Sequence, residues 1–192
     1  EKLVFGDMGW GDEFLIATLM TLLVSIMSMG LGLCIAIITV WAKIIQNKFT
    51  KFLANLYTTI IRGVPELLVI YLIFFGGNAL VMKIAKIFGY NGYIELNALT
   101  IATIAIAIIS ATYSSEVLRA AYLSISRGQI EAAKTLGMNK LSVFLKIITP
   151  QVIRHALPGI GNVWQITLKD TSLISVTGLV EIMRQSRISS NV

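Results

Sequence analysis

The chain alternates between long apolar stretches and short polar, charged segments. Phe14 to Ala42 holds 29 residues without a charged side chain. Because a helix rises about 1.5 Å per residue, this stretch exceeds the roughly 30 Å hydrocarbon core of a bilayer and predicts a transmembrane helix. The apolar region of a cleaved signal peptide is shorter, about 7–15 residues, so the length argues against one.

Three further apolar stretches predict three more spans. The second span lies within Phe52–Met82, the third is the uncharged stretch Leu96–Ser115, and the fourth runs from about Ala156 to Val180. Charged residues fall inside the second and fourth spans: Arg62, Glu66, Lys169 and Asp170. The pattern therefore predicts an all-α integral membrane protein in which residues 1–192 form a single transmembrane domain.

The composition excludes several functional classes. Hydrophobic residues make up 56% of the chain and charged residues 14%, whereas a soluble domain carries about 25% charged residues. A soluble enzyme, a disordered regulator and a nucleic-acid-binding protein are therefore not expected. One Cys and one His, Cys34 and His155, leave no internal disulfide and no soft-metal cluster.

Basic residues are concentrated in two connections between the spans. Segments 43–51 and 116–155 contain nine Lys and Arg residues, against five in the remaining segments outside the spans. Cytoplasmic loops are enriched in Lys and Arg, which predicts that residues 116–155 are mostly cytoplasmic and that the N-terminus lies outside. The chain would end outside after four spans. It begins with Glu1 rather than Met, and we interpret it as a fragment of a longer protein.

The longest connection contains signals for two short helices joined by a sharp bend. Ser126 and Gln129 form a capping-box pattern at the start of the first helix, and Gly137 is positioned to end it. Asn139 can cap the second helix, whose end Pro150 would disturb. Such a hairpin can rest on lipid headgroups or dock onto a partner protein, and the residues alone leave both open.

The same connection resembles a known signature. Glu131-Ala132-Ala133, Gly137, Ile147 and Pro150 have the spacing of the EAA motif, EAA-x3-G-x9-I-x-L-P, of bacterial ABC-importer permeases. Thr149 stands where that family usually has Leu. Three other segments are similar to landmarks of the polar amino-acid branch, in the same order: Arg62–Pro65, Ser115–Arg119 and Lys169–Leu173. The resemblance covers about residues 14–185.

The resemblance implies a fold, a location and a set of partners. The fold is the multi-span type I ABC-importer permease fold (MetI-like), with a fifth span outside these 192 residues. Residues 126–150 become the cytoplasmic coupling loop, in which Glu131, Ala132, Ala133 and Gly137 couple to the ATPase. The implied partners are a dimer of cytoplasmic ABC ATPases, a second permease subunit (identical or related), an extracytoplasmic amino-acid-binding protein and the lipid of the bacterial cytoplasmic membrane.

The resemblance also implies where the chemistry occurs. This chain is a transport subunit rather than an enzyme, because ATP and Mg²⁺ are bound by the partner ATPase and this chain itself holds no cofactor. No nucleic acid is among its partners. An ion-coupled secondary carrier is a rival interpretation, but carriers usually contain an internal repeat and none is visible. A membrane-embedded enzyme would need clustered acidic residues or His, which the sequence lacks.

Three charged residues within the spans are candidates for the substrate path: Glu66, Lys169 and Asp170. The run Arg62–Tyr71 is similar to permeases for basic amino acids and opines, and carboxylates at Glu66 and Asp170 would suit a cation. Glutamine or glutamate stays open as the alternative substrate.

Structural roles remain open for the same residues. Glu66 can pair with Arg62, and both Lys169 and Asp170 can pair with polar groups of the bundle. Glu116 and Arg119 are predicted to pair within one helix. Glu181 and Arg184 are expected at a solvated surface, with contact to the extracytoplasmic binding protein as the alternative.

Overall fold

The computed structural model describes residues 9–45, 47–90, 92 and 97–190, and this part of the chain contains helices and turns but no strand. The elements in order are α1 (Gly11–Ile44), α2 (Lys48–Gly63), α3 (Glu66–Ile87), α4 (Ala98–Leu123), α5 (Arg127–Thr135), α6 (Lys140–Val143), a π-helical turn (Phe144–Ile148), α7 (Thr149–Asp170), a 3₁₀ helix (Thr171–Thr177) and α8 (Ile182–Ser190). The prediction of an all-α membrane protein is confirmed.

Three of the described helices are long and apolar enough to cross a membrane. They are α1, α3 and α4, with 34, 22 and 26 residues. The predicted first span is confirmed within α1. The predicted third span lies in α4, which continues to Leu123, two turns beyond its predicted end; Leu96, where the prediction began, is outside the described residues.

The predicted second span, within Phe52–Met82, is divided into two helices. Helix α2 ends at Gly63, Val64 is extended at φ −108° and ψ 138°, and α3 begins at Glu66. Pro65 causes this break, because its ring disfavours helical geometry at the preceding residue and it has no N–H to donate. Only α3 combines the length and apolar composition of a span, so the prediction was wrong about the first part of the segment.

The predicted fourth span, Ala156–Val180, is also not one helix. Helix α7 begins earlier, at Thr149, and ends at Asp170, after which the chain continues as the 3₁₀ helix. Although α7 has 22 residues, it is not among the described helices that meet the apolar criterion for a span. Polar residues along its length account for this, so three of the described helices meet the apolar criterion, against four predicted spans.

The core of the bundle is the packing of α1 along α4, the most extensive contact between any two described elements. Small residues recur every four positions on both helices and are buried: Ser28, Gly32 and Ala36 on α1, and Thr103, Ala107 and Ala111 on α4. Ser28 Oγ donates a hydrogen bond to the Thr103 carbonyl oxygen at 3.1 Å. Such spacing lets two membrane helices approach closely enough for backbone contacts. We call this contact the α1–α4 seam.

Larger apolar residues fill the space beside the seam. Val24, Val69, Ile106 and Ile174 belong to one buried cluster that joins α1, α3, α4 and the 3₁₀ helix. Many other large apolar side chains stay exposed, including Leu19 and Ile38 of α1 and Phe75 of α3. Exposed apolar surface of this extent is expected where the surrounding medium is lipid rather than water.

Replacing Gly32 by Ala is expected to destabilise the bundle. A Cβ at position 32 would collide with Ser110 Oγ and lie 3.1 Å from the Ala107 carbonyl oxygen, so the Ser110 side chain must move and the helices must separate slightly. Overpacking of this kind costs about 1–3 kcal/mol. Thermal denaturation of the detergent-solubilised protein measures the effect.

Gly30→Ala is the matched control for this prediction, because a Cβ at position 30 meets nothing within 4 Å on the same helix. The midpoint temperature should fall for Gly32→Ala and not for Gly30→Ala. Equal midpoints for the two variants would contradict the close approach at Gly32.

Candidate functional site

Two carboxyl groups lie close together where one helix begins and another ends. Glu66 is the first residue of α3 and Asp170 the last residue of α7. The two carboxyl groups lie close enough to interact by charge. Asp170 is 6% exposed and Glu66 is half-buried. The structure thus brings together two of the three residues predicted for the substrate path, and we call them the acidic pair.

Close packing of α7 against α4 positions Asp170. At Gly159 the two helices are so close that a Cβ would lie 2.6 Å from Val117 Cγ1. On the other side, Glu66 begins its helix directly after Pro65, whose carbonyl oxygen accepts the first hydrogen bonds of α3, from the N–H groups of Leu68 and Val69. A carboxylate in a first helical turn is favoured by the helix dipole.

Tyr113 and Arg62 complete the surroundings of the acidic pair. The Tyr113 hydroxyl donates a hydrogen bond to Glu66 Oε1 at 3.1 Å. The Arg62 guanidinium carbon lies 5.8 Å from the centroid of the Tyr113 ring, in the range of a cation–π contact. In the described part of the chain Arg62 forms no ion pair with Glu66, so that predicted alternative is not realised. No sequence signal distinguished Tyr113.

Lys169 does not share the environment of its neighbour. Its side chain is exposed, whereas that of Asp170 is buried. Adjacent helical residues diverge by about 100°, which explains the different environments of the two side chains. A role for Lys169 in the substrate path stays a prediction.

A second polar cluster joins α1, α2 and α4. Lys43 Nζ donates hydrogen bonds to Glu116 Oε1 at 2.5 Å and to Thr58 Oγ1 at 2.9 Å, and its side chain is 3% exposed. Arg119 lies 3.8 Å from Glu116, which confirms the predicted pair within α4. Sequence reasoning placed Lys43 in a basic loop and missed this cluster. The signal was present in the sequence. Lys43 follows Gly32, Ala36 and Thr39 at alternating spacings of four and three residues, which places it on the buried face of α1.

The connection after α4 folds into a compact loop. Its first helix, α5, ends with Gly137 at φ +77°; Gly137 N–H donates to the Lys134 carbonyl, and Met138 N–H donates to the Ala133 carbonyl. This pair of hydrogen bonds is a Schellman motif, which requires a left-handed residue and so favours glycine. The predicted stop at Gly137 is confirmed. Asn139 also caps α6 as predicted, since its side chain accepts from Ser142 N–H at 2.8 Å.

Two details of the predicted loop were wrong. Ser126 precedes α5 but makes no capping hydrogen bond, and Gln129 instead accepts one from Gln151 Nε2 at 2.7 Å, which ties α5 to α7. The second helix is not short, because α6, the π-helical turn and α7 follow one another without a break from Lys140 to Asp170. The π-helical turn directly before Thr149-Pro150 accommodates the missing proline N–H.

The motif residues of the loop differ in exposure. Glu131 and Ala132 are exposed, whereas Ala133 is buried in a small apolar cluster with Ile125, Val143 and Ile148. Ala133 therefore stabilises the loop from within. Apolar side chains also project outwards from the loop, with Leu136 82% exposed. Four exposed apolar residues form what we call the loop face: Leu136, Leu141, Phe144 and Leu145.

Glu181 was wrongly expected at a solvated surface. It is 0% exposed, and its carboxylate accepts from the N–H groups of Met183 and Arg184 at 2.9 and 2.8 Å, so it caps the first turn of α8. The carboxylate satisfies N–H groups that have no partner within the helix, which explains why it is buried.

Comparison with known proteins gives consistent matches along most of the chain. Residues 29–192 match the family described as binding-protein-dependent transport system inner membrane component. The chain is 47% identical over 189 residues to a nopaline transport system permease protein of Agrobacterium fabrum, covering 98% of this chain and 80% of that protein. It is 34% identical over 181 residues to a histidine/lysine/arginine/ornithine transport system permease protein of Escherichia coli, covering 94% and 79%.

A solved structure matches as well. A crystal structure of an amino acid ABC transporter with histidines aligns with a TM-score of 0.79 and 30% identity, over 95% of this chain and 80% of that chain. An octopine transport system permease protein of Rhizobium meliloti is 43% identical over 186 residues, covering 97% of this chain and 78% of that protein.

Proposed function

Because this chain belongs to the family of binding-protein-dependent transport system inner membrane components, we propose that it is the permease subunit of an ATP-driven importer for a basic amino acid or an opine. The observation that carries the substrate class is the acidic pair of Glu66 and Asp170. The names of similar permeases agree with it, since they include histidine, lysine, arginine, ornithine, nopaline and octopine.

The acidic pair has the chemistry to select a cation. Two carboxyl groups in contact repel each other when both are ionised, and an ammonium or guanidinium group between them would relieve that repulsion. Asp170 also lies at the C-terminal end of α7, where the helix dipole favours positive charge. Arg62, on the other side of the Tyr113 ring, supplies the opposite charge for a substrate carboxylate.

The loop of residues 126–150 is proposed to dock on the partner ATPase. Its exposed Glu131 and Ala132 and the apolar loop face give it a surface that this chain leaves uncovered. ATP and Mg²⁺ are then bound by two cytoplasmic ATPase subunits. A second permease subunit completes the membrane part, and an extracytoplasmic binding protein delivers the substrate. The N-terminus lies outside and residues 116–155 are mostly cytoplasmic.

One continuous element joins the loop to the acidic pair. From Lys140 to Asp170 the chain is helical, so a displacement of the loop is transmitted along about 30 residues to the Asp170 carboxylate. A hydrogen bond of 2.8 Å between Ser124 Oγ and His155 Nδ1 connects this element to the end of α4. ATP-driven movement of the loop would therefore alter the substrate site.

Neutralising the acidic pair is expected to remove the preference for cations. In cells that express the complete importer, Glu66→Gln should lower kcat/KM for arginine uptake about 10- to 100-fold, the equivalent of one charge-assisted hydrogen bond. Glu13→Gln is the matched control, because Glu13 is exposed in the first turn of α1. Uptake of labelled arginine, with lysine, ornithine, glutamine and glutamate as competitors, measures the change.

The same assay tests the class of protein. Uptake should stop when the partner ATPase carries a mutation that abolishes hydrolysis, and uptake that survived would contradict an ATP-driven importer. Competition by glutamine or glutamate alone would keep the importer and exclude the cationic substrate.

Gly137→Val is expected to weaken assembly with the ATPase. A Cβ at position 137 meets nothing within 4 Å, so the cost is the strained backbone at φ +77° rather than a steric clash. That strain is about 1–3 kcal/mol for a residue other than glycine. Co-purification of the ATPase with the permease, and arginine uptake, should both fall.

Gly137→Asn is the control for this variant, since asparagine tolerates the left-handed region better than valine does. It should retain most of the ATPase. Equal losses for Asn and Val would contradict a requirement for left-handed backbone at this bend.

A further inference from the structure

A polar pocket separate from the acidic pair lies between α1, α2 and α4. Its volume is about 430 Å³, within the roughly 300–1,000 Å³ typical of small-molecule sites. Six polar residues line it: Lys43, Asn55, Thr58, Thr59, Arg62 and Glu116. We call it the α2 pocket.

Helix α2 turns its polar side towards this pocket and its apolar side outwards. Asn55, Thr58, Thr59 and Arg62 lie on one face, at spacings of three and four residues. Large apolar residues at the same kind of spacing are exposed: Phe49, Phe52, Leu53, Leu56 and Ile60. A soluble protein buries the apolar face of such a helix. In this helix the apolar face is exposed, and Asn55, Thr59 and Arg62 are exposed as well, so the pocket is an open groove accessible to water.

The Lys43–Glu116 ion pair gives the pocket the two charges of an amino-acid head group. Lys43 Nζ is satisfied by one carboxylate oxygen and one hydroxyl, from Glu116 and Thr58. When an amino acid binds, its α-carboxylate can pair with Lys43 in place of Glu116. Its α-ammonium can pair with Glu116 in place of Lys43. This exchange leaves no buried charge without a partner, which would otherwise be costly.

We propose that the α2 pocket is a second cargo site, which binds the α-ammonium and α-carboxylate groups of an amino acid between the acidic pair and the cytoplasm. The inference rests on the proposed function, because it requires an amino acid as cargo. Arg62 connects the two sites, since it lines the pocket and also faces the Tyr113 ring that bonds Glu66.

The difference in charge between the two sites favours movement of a cationic amino acid from the acidic pair to the α2 pocket and then to the cytoplasm. Arg62 borders both sites, so the first site has two carboxyl groups and one cation, whereas the α2 pocket has two cations and one anion. A cationic side chain is therefore attracted at the first site and repelled at the second, where only the head group is held. Weak retention at the second site favours release.

Cysteine accessibility tests the pocket directly in the complete importer reconstituted in membranes. Cys34, the only cysteine of this chain, is first replaced by Ser, and Thr59→Cys is then introduced on the wall of the pocket. A membrane-impermeant methanethiosulfonate is added from the cytoplasmic side, with arginine or agmatine as the probe. Agmatine retains the guanidinium of arginine but has no carboxylate.

The expected result is that Thr59→Cys is labelled and that saturating arginine slows the labelling, about tenfold at ten times its dissociation constant. Agmatine should give little protection. Lys48→Cys, at the start of the same helix and exposed, is the control that arginine should not protect. An unreactive Thr59→Cys would overturn the proposal, because the pocket would be dry. Absent protection by arginine, or equal protection by agmatine, would overturn it as well.

Adding Glu66→Gln to Thr59→Cys distinguishes this proposal from the preceding one. If the acidic pair does not select cations, uptake preferences stay unchanged in Glu66→Gln, yet arginine still protects Thr59→Cys. If the α2 pocket holds no cargo, protection is absent whether or not Glu66 is present. The two proposals thus fail by different measurements.

Discussion

The close approach of α1 and α4 is the constraint on which the other features depend. At Gly32 a single methyl group would force the helices apart, because the neighbouring atoms include backbone of α4. The seam brings Lys43 of α1 to Glu116 of α4 and thereby forms one wall of the α2 pocket. The same helix α4 carries Tyr113, which holds Glu66. Both polar sites therefore depend on a contact between small residues.

Buried charged groups in this protein have partners, while many large apolar side chains are exposed, and both features follow from the medium. Lipid covers exposed Leu, Ile and Phe at little cost, whereas an unpaired charge in hydrocarbon is expensive. Each buried charge described here has a partner: Lys43 has Glu116, Asp170 has Glu66, and Glu181 has two N–H groups of α8. Glu181 completes its interactions with a helix terminus of the same chain, so it has a structural role. The acidic pair differs, because both partners carry the same charge, and this makes it suited to a cationic ligand.

Features encoded locally could be predicted from the sequence, and features that depend on distant partners could not. The first and third apolar stretches, the stop at Gly137 and the cap at Asn139 need only neighbouring residues, and the structure confirms them. Lys43 seemed to belong to a basic loop until the partner Glu116, 73 residues away, was located. The break at Pro65 was visible in the sequence, but the apolar residues around it suggested one span. Nothing in the sequence brought Tyr113 to Glu66.

The arrangement of the acidic pair suggests how a movement of the loop would change affinity. Glu66 belongs to α3, which has no direct link to the loop, whereas Asp170 ends the helical element that begins in the loop. Displacing that element moves one carboxylate relative to the other. Because the attraction between a cation and two carboxylates falls with distance, separating them weakens binding of a cationic substrate without breaking any covalent or backbone interaction. In the proposed passage, a cation released from the acidic pair would then meet Arg62 and the α2 pocket, where its charge is no longer favoured. Coupling by this route would require only a small change in the distance between two helix ends.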